Sequence, residues 1–203
     1  GFPQLLHDFE VVGPMARTVE DTALALGAIA GPDGRDRRSL LVPAAPDEDR
    51  PLDEPPPPLR ILYVPRFGGA PVDPAIRESC AEAARALAGL GHAVEEGVLP
   101  VDLDPIYGRW GMFSQVALAR LVAGEPRARD LVAPKHLALA DQGAAIPATA
   151  YLDLLEAVEA FRRAVAAVFE RWEVVVTPSC AAMPWPAEEA FPPLIAGQEA
   201  GPR

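Results

Sequence analysis

The chain has 203 residues, half of them hydrophobic, which is enough to bury a substantial core and suits one domain or a large part of one. Its formal net charge of -11 and isoelectric point near 4.7 argue against a nucleic-acid groove or an anionic membrane surface, because both demand clustered cations. Of the 18 basic residues only Lys135 is a lysine, so any mechanism with an amine as base or nucleophile has one candidate.

The two cysteines, Cys80 and Cys180, are too few for a disulfide framework and lack a second pair at metal-ligand spacing, which reads as a reducing, cytoplasmic setting. No apolar run approaches the roughly 18 residues of a membrane span, and no basic start followed by an apolar stretch marks a signal peptide. The first residue is Gly1, which reads as a removed tag or as part of something longer.

In chain order, Phe9 to Val12 is a short apolar run, a strand or extended segment that turns at Gly13-Pro14. A helix follows, with Thr18 as N-cap, Asp21 at its third position, and Val19, Ala23, Leu26 and Ile29 or Ala30 at helical spacing up to Gly31-Pro32. Between Pro43 and Pro58 lie seven prolines and five acids, the composition of an extended, solvated surface loop inside one domain.

Arg60 to Val64 (RILYV) is a continuous apolar run bounded by prolines, the pattern of a strand buried on both faces. Asp73-Pro74 opens a helix with Ile76, Cys80, Ala83 or Ala84, Leu87 and Leu90 on one face, ended by Gly91. His92 to Glu96 supplies a second strand. The three make a β-α-β unit, for which parallel strands and a right-handed crossover are expected.

Gly111 to Val122 predicts a helix with Met112, Phe113, Val116, Ala117 and Leu121 inward, and Pro134 to Leu139 another short one. Thr149 to Trp172 predicts the longest helix, with Leu152, Leu155, Val158, Phe161, Val165, Val168 and Trp172 inward. Glu173 to Thr177 (EVVVT) is a third strand, ended by Pro178. The remainder is Pro-rich and is read as containing no further strand.

Most motifs for specific chemistry are missing. No G-x-G-x-x-G follows a strand, and Phe67-Gly68-Gly69-Ala70 lacks the lysine and hydroxyl of a phosphate-binding loop, so no nucleotide or other cofactor is expected. His7, His92 and His136 have no partners at metal spacing, and they read as surface or capping groups. Glu95 and Glu96, adjacent in a strand, point to opposite faces and read as solvated. Cys180 follows a buried strand, a place where an exposed nucleophile can sit, but its only amine partner would be Lys135 and it reads as a free structural cysteine.

The run GPMARTVEDTALALGAIAGPDGRD, Gly13 to Asp36, resembles a segment of the amidase-signature family that comes shortly after the catalytic Gly/Ser-rich loop. The order LRILYVP, VDPAIRESCAEAARALAGLGHAVEE, a helical middle and EVVVTPSCAAMP is also similar to that family, and the resemblance covers most of Phe9 to Pro186. It departs at Glu10 and Val11, where the family usually carries Asp and a Thr or Gln.

The resemblance implies the downstream part of an α/β, mixed-sheet amidase-signature domain with helices on both faces, incomplete as given. Residues 1–203 would form its C-terminal-side portion, with 43–58 as a surface loop. It implies an amide substrate, a serine nucleophile assisted by a second serine and a lysine, and an upstream half supplying all three. The chain's serines are Ser39, Ser79, Ser114 and Ser179, with no Ser-Ser pair, so no catalytic residue is assigned within it. By position in the family pattern, Tyr107, Trp110, Phe113, Thr177 and Ser179 are the expected substrate contacts. The carboxyl ends of strands favour the last two. A free amidase, the amidase component of a tRNA-dependent amidotransferase and a homodimer all stay open, as do a cysteine hydrolase using Cys180 and a non-catalytic α/β binding domain.

Overall fold

The computed structural model describes residues 9, 11–36, 39, 54–125, 127–189 and 191–200. Two compact units meet in sequence at Pro57 and Pro58, and each is taken by itself. Most of the proline- and acid-rich stretch lies outside the described residues; Glu54 to Pro58 is exposed and without regular structure.

In the first unit, Val11 to Ala16 has no regular structure, so the expected entry segment pairs with no strand among the described residues. Helix α1 (Val19–Ile29) begins where the sequence places it: the Thr18 hydroxyl accepts the Asp21 N–H at 3.1 Å, satisfying one of the donors that an α-helix leaves free at its start. None of its residues is buried, and Val19, Leu26 and Ile29 are exposed despite their helical spacing.

The second unit is built on a parallel three-stranded sheet, β1 (Arg60–Tyr63), β2 (Ala93–Glu96) and β3 (Val174–Val176), in the order β2-β1-β3. Central β1 pairs Arg60 with Ala93 on one side and Ile61 with Val174 on the other. Its apolar run is buried as expected, with Ile61 and Leu62 at 1% exposure and Val64 at 0%. The ladder reaches one residue past β1, since the Val64 N–H donates to the Val176 carbonyl at 2.8 Å. Between β1 and β2 runs α2 (Pro74–Gly89), capped by the Asp73 carboxylate accepting the Ala75 N–H at 3.0 Å, with Pro74 at the first position where its missing N–H costs nothing. Leu90, assigned to its inward face, is exposed.

Helix α3 (Gly111–Gly124) is followed by one turn, α4 (Ala128–Leu131), then α5 (Pro134–Ala144) and α6 (Ala148–Val168). Helices α3 and α5 approach so closely that a β-carbon at Gly143 would lie 2.0 Å from the Gln115 carbonyl oxygen; only glycine fits there. Helix α6 buries Leu154, Val158 and Val168, with Leu155, Phe161 and Val165 partly covered, so its stripe starts at Leu154. Leu152 is exposed, a correction to the expected face: 152 and 154 lie about 200° apart on a helix, and only Leu154 continues through 158 to the packed side. The Val168 and Trp172 end of this stripe covers the sheet, forming with Leu62 and Val64 a core against which Leu99, Val101 and Val175 pack.

The carboxyl-terminal segment corrects a second expectation. β4 (Leu194–Ile195) and β5 (Gln198–Glu199) form an antiparallel hairpin whose turn residues, Ala196 and Gly197, have φ of 51° and 76°. Positive φ at both central positions matches the twist of a two-residue hairpin.

Candidate functional site

Parallel pairing sends all three strands out at the same end of the sheet, and the connections that leave this end converge. After β1 the chain turns at Phe67 to Ala70, closed by the Ala70 N–H donating to the Phe67 carbonyl at 3.0 Å and enabled by Gly68 at φ 53°. After β2 it makes a turn in which the Tyr107 N–H donates to the Leu103 carbonyl at 2.8 Å. After β3 it continues as Thr177-Pro178, and the Ala181 carbonyl accepts the Asp73 N–H at 2.8 Å, which ties this connection to the start of α2. The three connections enclose a cavity of 510 Å³ whose wall includes Phe67, Gly68, Leu103, Tyr107, Thr177 and Pro178. A crevice beyond the carboxyl ends of parallel strands is where open α/β sheets bind ligands.

Of the expected contacts, Tyr107 and Thr177 share this wall. The Thr177 hydroxyl oxygen is itself buried and has no hydrogen-bond partner among the described residues. A buried hydroxyl without a partner is costly. Trp110, Phe113 and Ser179 are not part of the wall. Phe113 is 3% exposed and sits edge-on between Trp110 and Tyr151, at centroid distances of 5.1 and 5.7 Å. Ser179 is exposed beyond Pro178. Reading the sequence missed the Arg66 to Val72 and Leu103-Asp104 segments. The Gly68-Gly69 pair is the sequence signal for this close turn.

The remaining candidates have local roles. His92 Nδ1 accepts the Leu59 N–H at 3.2 Å, a capping contact beside the start of the sheet. Glu95 is exposed and paired with Arg171 at 3.1 Å. Cys180 is exposed and its thiol donates to the Ala182 carbonyl at 3.3 Å. Among the described residues no group of three His, Cys, Asp or Glu side chains is placed to hold a metal ion, and no serine, lysine or histidine lines the cavity.

A family model described as Amidase matches residues 1–198. The chain belongs to the Amidase family. An amidase of Pseudomonas putida is 29% identical over 187 residues, which cover 92% of this chain and 39% of that protein. A glutamyl-tRNA(Gln) amidotransferase subunit of Thermus thermophilus is 42% identical over 85 residues, covering 42% of this chain and 17% of that protein. Among solved structures, a bacterial aryl acylamidase of the amidase-signature family superposes with a TM-score of 0.74 at 26% identity, over 94% of this chain and 41% of that one. A 6-aminohexanoate cyclic dimer hydrolase shares the fold, with a TM-score of 0.62 at 23% identity over 77% of this chain and 34% of that one. The amidase-signature resemblance and the α/β fold class are thus established, and the chain spans at most about two fifths of the length of these relatives.

Proposed function

We propose that this chain is the downstream segment of an amide-bond hydrolase of the amidase-signature type, whose serine nucleophile lies in upstream sequence. Residues 1–203 form the C-terminal-side portion of one amidase domain and supply scaffold and pocket wall. The observation that carries this reading is the cavity beyond β1 and β3: it holds a buried, unpartnered Thr177 hydroxyl and has no nucleophile-base pair in its wall. Attack on an amide requires an activated nucleophile and donors for the developing oxyanion, so those groups must come from another part of the enzyme. Strand β3 supports the same reading. It pairs with β1 on one side and with no described strand on the other, which leaves a bare edge of valines for a neighbouring strand. No described helix is long and apolar enough to cross a membrane, and two free cysteines fit a reducing cytoplasm.

The test compares the 203-residue chain with the full-length protein on a panel of linear amides, reading ammonia or amine release. The full-length protein hydrolyses amides and the chain alone hydrolyses none. Thr177→Val in the full-length protein lowers kcat/KM about tenfold, the scale of one lost hydrogen bond to a desolvated group. Turnover by the chain alone, abolished by one substitution within residues 1–203, would overturn the proposal, and Cys180→Ala is the first such substitution to try.

A further inference from the structure

The cavity beyond the sheet takes most of its wall from hydrocarbon, with Phe67, Val72, Leu103, Tyr107 and Pro178 among its residues. Two of these, Phe67 and Tyr107, stand 37% and 58% exposed, although apolar surface in water is unfavourable in proportion to its area. The charged groups nearby offer a charged ligand little. Arg66 and Asp104 belong to the wall but are exposed, where water and salt screen them, and their signs oppose. An open helix N-terminus suits an anion, but the start of α2, which follows Val72 of the wall, is already taken: the Asp73 carboxylate accepts the Ala75 N–H and puts a negative charge there. The wall also contains small residues at Gly69, Ala70 and Ala181, and a β-carbon at Gly69 would meet no atom within 4 Å.

From this we infer that the cavity is the subsite for an uncharged, apolar substituent of the substrate amide, an alkyl chain or an aromatic ring, and that the small residues Gly69 and Ala70 set how large that substituent can be. This substrate class rests on the hydrolase reading above and deepens it. The volume of 510 Å³ lies within the range of about 300–1,000 Å³ of small-molecule sites. Removing the substituent from water drives its binding, so kcat/KM rises with the apolar area covered, and a charge on the substituent is penalised because it leaves water without a buried partner. Phe67 and Tyr107 are covered when the subsite fills. Gly69 and Ala70 act on specificity alone and have no part in bond breaking.

The test uses the full-length protein on four amides: propanamide, 3-phenylpropanamide and N-benzylpropanamide, which carry a ring on the acyl or the amine side, and glutamine as a charged amide. The expected kcat/KM for the better of the two phenyl compounds is about tenfold or more above that for propanamide and for glutamine, the scale of burying one ring. Gly69→Leu lowers the ratio of that phenyl compound to propanamide about tenfold, the discrimination that a few methylene groups give in an apolar pocket. Ala70→Leu, at the next position of the wall, is expected to do the same and serves where leucine at 69 impairs folding. Equal kcat/KM on propanamide and both phenyl compounds, a preference for glutamine, or leucine variants that leave the ratio unchanged, would overturn the inference while leaving the hydrolase reading standing. Absence of turnover on every amide overturns the hydrolase reading and this inference with it.

Discussion

The two ends of the three-stranded sheet are built on different terms. At the amino end, polar groups are matched to one another. Glu173 accepts the Arg60 N–H at 2.7 Å and its guanidinium Nε at 2.9 Å, the Arg60 carbonyl accepts the Glu173 N–H at 2.9 Å, and His92 receives the Leu59 N–H. At the carboxyl end, in the wall of a cavity, the Thr177 hydroxyl is buried without a partner among the described residues. Satisfied groups hold strands together and have nothing left to offer a ligand, whereas unsatisfied ones cost stability and are free to bind. The fold therefore separates the two tasks along about three residues of strand, a distance near 10 Å.

That separation breaks first if the sheet is not one shared platform. Leu62 is 1% exposed in the central strand and packs in the core with Val64, Val168 and Trp172, beneath both ends. Leu62→Ala should cost about 2–5 kcal/mol in denaturant unfolding, the transfer and cavity cost of a buried leucine. It is the largest effect expected of any single substitution considered for the sheet. A cost below about 1 kcal/mol would mean that the site relaxes freely and that no rigid frame positions the cavity.

The sharper comparison is between stability and activity at Thr177. Valine keeps the shape of threonine and replaces the unpaired hydroxyl by a methyl group, so Thr177→Val should leave the isolated chain as stable as before or raise its stability by about 1 kcal/mol. In the full-length protein the same substitution is expected to lower activity. A fall in stability of the isolated chain would show that the hydroxyl already has a partner within it, and the carboxyl end would then resemble the amino end.

How much of this was legible in the sequence depends on how local each signal is. The caps at Thr18 and Asp73 act within three residues, and the run of β1 is buried on both faces, so their patterns could be read directly. The hairpin of β4 and β5 was not legible because its strands are two residues each and its turn is Ala196-Gly197, without the Asn or Asp that usually announces positive φ. On α6 the choice between Leu152 and Leu154 is made by what the helix packs against, which periodicity alone does not contain. The place of Thr177 in the cavity wall was legible because the carboxyl end of a strand is a position known from one segment. The cavity was not, since Phe67, Leu103 and Thr177 become neighbours only when parallel pairing brings three connections to one end.

The smallest expected effect tests the amino end through its charge. Hydrogen bonds from the Arg60 side chain, then from its backbone N–H, lower the Glu173 carboxyl from 4.5 to about 2. A group whose folded pKa is depressed adds stability that is fully present above the unfolded value and disappears as the pH falls through the folded one. The contribution of Glu173 is therefore constant above pH 4.5 and is lost between there and about pH 2. Both partners are well exposed, at 57% and 40%, so solvent screens the pair and the effect at neutral pH is slight. Glu173→Gln keeps an oxygen acceptor for the Arg60 N–H while removing the charge, which isolates the titrating part. Denaturant midpoints of the variant should match the wild type near pH 2 and fall slightly below it above pH 4.5, giving a flatter acid limb. If the two curves keep a constant offset across that window, the pair does not titrate with folding, and the amino end owes its order to the backbone ladder and His92 alone.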